Sequence, residues 1–340
     1  MHHRFAPSRR AHRVIDNLQP FILFAVLFLP VSTLAGGIEL DSREYKLMLR
    51  AGEFAGSDPG QAVERFTTDQ LVPAVGSRWN LDAANQLMSK KLEVGERRIV
   101  RFWDSGECLL YRHGYAWRER VDTDEHNTRA NETELTLKFR SPDMFLAAGM
   151  PLKAKNGARN VDSKIEEDLG PVSVRGGPEE GAVATPRSAR SQFSRSTKQT
   201  VSPDKVPTSL AGIADLYPSF EDELRAAIGG FDTSALLEPS PEYRELVYES
   251  SKLIVAKDVK ARFALTLWYK DVENRDRPAL AEVSFKYDAK NGGVPDEVAR
   301  RALALLLAMY PGPNHQPRPR QRSSHATDPA DAVILRYPGR

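Results

Sequence analysis

Apolar and polar residues alternate with a period of two in several short stretches of this chain, the mark of strands with one face buried. Tyr45, Leu47 and Leu49 share one face of such a stretch; Ser42, Glu44, Lys46 and Arg50 share the other, along with Met48. Trp117 and Val121 oppose Arg118 and Arg120, and Leu135, Leu137 and Phe139 oppose Glu134, Thr136, Lys138 and Arg140. Ala281, Val283, Phe285 and Tyr287 oppose Glu282, Ser284 and Lys286. The pattern predicts eight strands: one within 36–51, then 97–103, 115–121, 134–140, 164–169, 243–256, 260–270 and 279–287. A helical period appears at 81–91, over 210–228 and over 295–310. In the last of these Pro295 stands at a first-turn position, and Val298, Ala302, Leu305 and Leu306 recur on one side.

On one strand, a row of charges is usually a solvated face. Repeated on four or more strands, cations and carboxylates at period two weigh against that bland reading: if the sheet closes with the charged face inward, it makes a hydrated tunnel lined with mixed charge. The expected fold is therefore α+β: a closed antiparallel eight-stranded β-tunnel with helices packed outside over its apolar face. Cations gathered in a partly desolvated tunnel suit a multi-anionic phosphate chain, arginine making bidentate contacts and lysine acting as a point charge.

Composition divides the chain further. Residues 1–35 combine basic Arg4, Arg9, Arg10 and Arg13 with an apolar run at 21–29 and the small-residue stretch Ser32-Thr33-Leu34-Ala35. This is the layout of a secretory signal peptide. The run falls short of the ~20 residues a spanning helix needs. The expectation is a secreted or periplasmic protein with no stable membrane anchor after cleavage. Residues 1–35 hold four Arg and one Asp, so leaving them out takes 48 Lys+Arg and 46 Asp+Glu to 44 and 45, a formal −1. General attraction to nucleic acid is not expected of such a chain. Residues 171–208 are rich in Gly, Ser, Pro, Thr and Arg and read as a disordered insertion between two halves of one tunnel domain, 36–170 and 209–310. The Pro/Arg/Ser-rich tail, 311–340, reads as disordered too.

The ordered motifs resemble those of the CYTH-domain proteins of the triphosphate tunnel metalloenzyme superfamily. Ser42-Arg43-Glu44-Tyr45-Lys46 stands where that family has Glu-x-Glu-x-Lys. Arg101-Phe102-Trp103-Asp104-Ser105 and Gly114-Tyr115-Ala116-Trp117-Arg118-Glu119-Arg120 are similar to its aromatic–Asp–Thr turn and Leu-Arg-x-Arg strand. Glu134-Leu135-Thr136-Leu137-Lys138 resembles the following strand, and Ala281-Glu282-Val283-Ser284-Phe285-Lys286-Tyr287 the late Glu-x-Glu strand. The resemblance spans about residues 38 to 310. It implies a tri- or polyphosphate-bearing anion in the tunnel. Lys46, Arg118, Arg120 and Lys138 would be phosphate ligands, with Arg140, Lys164, Lys252, Arg262 and Lys286 as looser ones. Glu44, Glu134 and Glu282, with Glu166 and Asp168 behind them, would hold Mg²⁺ or Mn²⁺ for hydrolysis. Ser42 and Ser284 depart from the family's carboxylates. Hard divalent cations favour anionic oxygen, so these departures weaken metal binding and leave a non-catalytic anion-binding protein, or an envelope interaction protein with a degenerate metal site, as the alternative.

Other chemistries find less support. Cys108 is the single cysteine, so no intrachain disulfide is possible and no thiolate zinc cluster can form. No Gly-x-Ser-x-Gly elbow, His-Glu-x-x-His motif or phosphate-binding glycine loop is present.

Overall fold

The structure is a computed structural model and describes residues 38–171, 189–222, 234–270, 276–289 and 294–310. The expected signal segment 1–35, part of the expected insertion (172–188) and the expected tail 311–340 lie outside the described residues. Eleven strands follow in chain order: β1 Ser42–Leu49, β2 Glu93–Ser105, β3 Tyr115–Asp122, β4 Thr133–Ser141, β5 Arg159–Pro171, β6 Ala189–Val201, β7 Leu237–Pro239, β8 Tyr243–Glu249, β9 Leu253–Ala256, β10 Val259–Tyr269 and β11 Leu280–Asp288. Nine of them form a ring, β11-β1-β5-β6-β4-β3-β2-β8-β10, which the β10–β11 pairing closes. β7 adds to β2 and β9 to β10 outside the ring. Strands from both sides of 171–208 thus build one barrel.

Two corrections to the expected tunnel follow. It has nine strands, not eight, and it is not wholly antiparallel, because β1 and β5 run parallel. The two facts are linked: an odd ring cannot alternate up and down all the way round, so one neighbouring pair must be parallel. The ninth strand is β6, within the segment expected to be disordered. Its sequence is almost wholly polar, and Gln192, Ser194, Thr197 and Gln199 are its buried residues. What holds it is pairing on both edges, Thr133–Ser141 on one side and Arg159–Pro171 on the other. Composition misses a strand whose stability comes from ladder hydrogen bonds and cross-strand contacts rather than apolar burial. The expected strand at 243–256 is also two strands. The turn between them is fixed where the Phe263 amide donates to Ser250 Oγ at 3.0 Å.

The helices lie outside the ring, as expected. Asp58 caps α1 (Pro59–Phe66), with Pro59 in its first turn, and a short π segment at Thr67–Leu71 leads into α2 (Val72–Arg78). Asn80 caps α3 (Leu81–Lys90), its Oδ1 accepting from the Ala83 amide at 2.6 Å. The short helices α4 (Leu109–Arg112), α5 (Met144–Gly149) and α6 (Leu210–Leu216) follow, and α7 (Asp296–Met309) ends the described chain.

These helices cover the outward faces in two separate cores. In one, Tyr45, Leu47, Phe263, Val283, Phe285 and Tyr287 meet Trp79, Leu87, Leu305 and Leu306. Tyr45, Phe263 and Phe285 form a stack, Phe285 lying 4.9 Å from Tyr45 and 5.4 Å from Phe263 between ring centres. In the other, Trp117, Leu135, Leu137 and Phe139 meet Leu210, Ile213, Tyr217 and Phe220. Every strand face read as apolar in the sequence points outward into one of these cores, apart from Val121, which is buried outside both. Among the described residues no helix is long and apolar enough to cross a membrane.

If β6 is an interior member of the ring, the amides of residues 193–200 should exchange with solvent as slowly as those of β4. Native-state hydrogen exchange measures this; exchange of β6 at loop-like rates would remove the ninth strand.

Candidate functional site

Because side chains alternate across a strand, the residues that do not face the two outer cores face the barrel axis. All nine ring strands contribute to one interior cavity of about 320 Å³. Its wall includes Lys46, Arg98, Arg118, Arg120, Lys138, Lys164, Lys198, Arg262 and Lys286, and the carboxylates Glu44, Glu96, Glu134, Asp162, Glu166, Glu245, Glu249 and Glu282. Nine cations thus face eight carboxylates, so the interior is an ionic lattice close to neutrality rather than a purely cationic tunnel.

The register orders these groups along the axis. Glu44 lies beside Lys286, which lies beside Arg262; Lys46 lies beside Ser284 and then Ala264; Met48 lies beside Glu282 and then Thr266. On the far wall Arg120 faces Glu134, Arg118 faces Thr136, and Lys138 faces Ser196 of β6.

The cations meet over shared carboxylates. Lys46 Nζ lies 3.4 Å from Asp168 Oδ1, and Lys138 Nζ lies 3.6 Å from Asp168 Oδ2. Lys46 also reaches Glu44 at 3.3 Å. Arg120 donates to Glu245 Oε1 at 2.9 Å, and Arg98 to Glu245 Oε2 at 3.5 Å; the Glu245 side chain is only 4% exposed. Glu134 takes Lys198 at 3.2 Å and Arg120 at 3.9 Å. At one end Arg262 pairs with Glu249 at 2.7 Å. Burial pushes the Glu134 carboxyl up, but Arg120, Lys198 and Arg118 outweigh it and hold the group below the usual carboxylate range.

Of the sequence-predicted phosphate ligands, Lys46, Arg118, Arg120, Lys138, Arg262 and Lys286 all line the cavity. Arg140 shares their face of β4, opposite Ser194, but does not line it. Glu44, Glu134 and Glu282 also line it, on β1, β4 and β11, without converging. Among the described residues no group of three or more His, Cys, Asp or Glu side chains is arranged to hold a metal ion. Glu44 and Glu134 are taken by lysine and arginine, and Glu282 is flanked by Met48 and Thr266. The described residues offer no all-protein carboxylate cage; Mg²⁺, which keeps several waters and is bound through one or two carboxylates plus substrate phosphates, would take its remaining ligands from water and a bound phosphate chain. Ser42, where a family carboxylate was anticipated, instead donates to Glu166 Oε1 at 3.1 Å.

Four groups central to the lattice lie outside the main sequence candidates. Asp168 was named only behind others. Arg98 and Glu245 were not named, although 96/98 and 245/247/249 repeat the same two-residue alternation. Lys198 sits on β6 and was hidden in the polar segment.

Fold and lining together define a closed β-barrel with a charged, paired interior. Neither a protein-family model nor a curated protein matches the chain. Among solved structures, a candidate adenylyl cyclase from Hippeastrum, described as having a dominant triphosphatase activity, is similar over 75% of this chain and 81% of its own, at 11% identity and a TM-score of 0.34. A candidate adenylate cyclase from Bacillus halodurans is similar over 83% of this chain and 97% of its own, also at 11% identity and a TM-score of 0.34. Likeness at this level carries no weight for function.

Glu245→Gln should destabilise the fold by about 2 kcal/mol, since it leaves Arg98 and Arg120 with a weaker shared acceptor in a buried place. Urea denaturation at neutral pH measures this, and an unchanged midpoint would contradict the pairing. Glu134 is a depressed carboxylate, so its contribution to stability is complete above the unfolded-state pKa and is lost as pH falls through the folded one. Melting temperature should therefore drop as pH is lowered below the ordinary carboxylate range, and Glu134→Gln should make that drop shallower.

Proposed function

We propose that this chain binds a small molecule bearing a tri- or polyphosphate group inside the barrel. The observation that carries this reading is the convergence of cations from strands that are not neighbours. Lys46 of β1 and Lys138 of β4 each take one oxygen of Asp168, although β5 and β6 stand between their strands. Arg98 and Arg120, on the neighbouring strands β2 and β3, likewise divide the two oxygens of Glu245 on β8. Two cations aimed at the two oxygens of one carboxylate are also spaced to take two oxygens of one phosphate. A phosphate chain brings more charge and more acceptor oxygens than the carboxylates it displaces.

In this reading Lys46, Arg118, Arg120 and Lys138 hold the deeper phosphates, and Arg262 and Lys286 the outer ones. It assigns no role to Mg²⁺ or Mn²⁺ bound by the protein alone, because among the described residues Glu44, Glu134 and Glu282 form no common cluster. The favoured function is anion binding without turnover. Hydrolysis rests on the sequence resemblance alone, and release of phosphate from tripolyphosphate with Mg²⁺ or Mn²⁺ would establish it.

Isothermal titration with inorganic tripolyphosphate tests the binding. Affinity should persist in a chelator and weaken as salt rises. Lys46→Gln with Lys138→Gln should weaken it by roughly tenfold or more, a hydrogen bond to a charged group being worth about 1.5–3 kcal/mol. Glu44→Gln with Glu282→Gln should leave it nearly intact. No binding at low salt, or binding only with a divalent metal, would overturn the reading.

A further inference from the structure

The inward-facing residues change character along the barrel axis. On β2 the series passes from Glu96 and Arg98 to Val100 and Phe102, and on β10 from Arg262 to Trp268. Val100, Phe102, Tyr243 and Trp268 form an apolar cluster, 0% to 5% exposed, with Leu280 packed against it. This cluster is separate from the two outer cores, and Trp268 also belongs to the cavity wall. The barrel interior therefore contains an apolar stop at the end where β8 and β11 begin and β10 finishes.

The opposite end is open and positive. There the cavity shares Lys164, Glu166, Arg262 and Lys286 with a second hollow of about 280 Å³. Five cations and three carboxylates line this outer hollow, against nine and eight in the cavity itself. Lys252, Lys260 and Lys286 are exposed there. A multi-anion crossing the stop would have to shed its water between the buried side chains of Val100, Phe102 and Trp268, a heavy desolvation cost. At the other end it would meet lysines in water, where local positive charge speeds encounter.

We propose that the barrel is blind: the Val100–Phe102–Tyr243–Trp268 cluster closes one end, and the anion enters and leaves only past Lys252, Lys260 and Lys286. This rests on the anion-binding reading above and adds to it a single route of exchange.

The test blocks each end in turn in the full chain carrying Cys108→Ser. Lys260→Cys puts a thiol at the open end, and Arg277→Cys puts one beyond the closed end, on an exposed residue near the start of β11. Each is coupled to a bulky polyethylene-glycol maleimide. Association of inorganic tripolyphosphate is followed by stopped-flow tryptophan fluorescence, with the unlabelled form of each variant as its control. The label at 260 should slow association by about tenfold or more, the range over which a charged entrance governs encounter rates, while the label at 277 should leave it unchanged. Equal slowing by both labels, or none by the label at 260, would overturn the single route while leaving the binding reading standing. Absence of tripolyphosphate binding to the unmodified chain in calorimetry would sink both.

Discussion

In a closed barrel each side chain points either in or out, and no free edge remains along which a strand could shift to change the choice. The rest of this structure depends on that constraint. Once β10 pairs with β11, the outward set on each strand must be apolar and covered, and the inward set must be hydrated or paired. The first demand explains the two cores under the helices, with the stacked rings of Tyr45, Phe285 and Phe263 at the centre of one. The second explains why charges that would be unremarkable on an open sheet meet across the barrel.

The inner lattice supplies its own counterions. Asp168 and Glu245 keep four cations fixed at positions that repulsion would otherwise splay apart, with side chains between 4% and 16% exposed. Such an interior holds its cations in place through its own carboxylates. Ser42 belongs to this balance: a glutamate there would stand directly beside Glu166 in the parallel β1–β5 pair.

The outward faces were legible in the sequence, because alternation of Tyr, Leu, Phe and Val with charges admits few other readings. Seven of the nine anticipated cations line the cavity, since period two fixes their side of the strand whatever the ring size. Ring size itself was not legible. Residues 189–201 carry Ser, Thr, Gln and Arg where a strand search looks for apolar residues, and their burial comes from neighbours supplied by distant parts of the chain. Convergence was not legible either. Period two says that Glu44, Glu134 and Glu282 face inward, but only the stagger of the strands decides how far apart they lie.

β1 shows what this ring asks of a growing chain. Among the described strands it is the first to be made, yet its partners are the last of them and one far downstream: Arg43 contacts Tyr287, 244 residues away, and Glu167, 124 residues away. Until β11 exists, β1 has a bare hydrogen-bonding edge. Closing such long loops is entropically slow, so the charged inner face and apolar outer face of β1 remain exposed together through most of synthesis. This amphipathic segment near the N-terminus is therefore where the unfinished molecule is most open to mispairing and to chaperone capture.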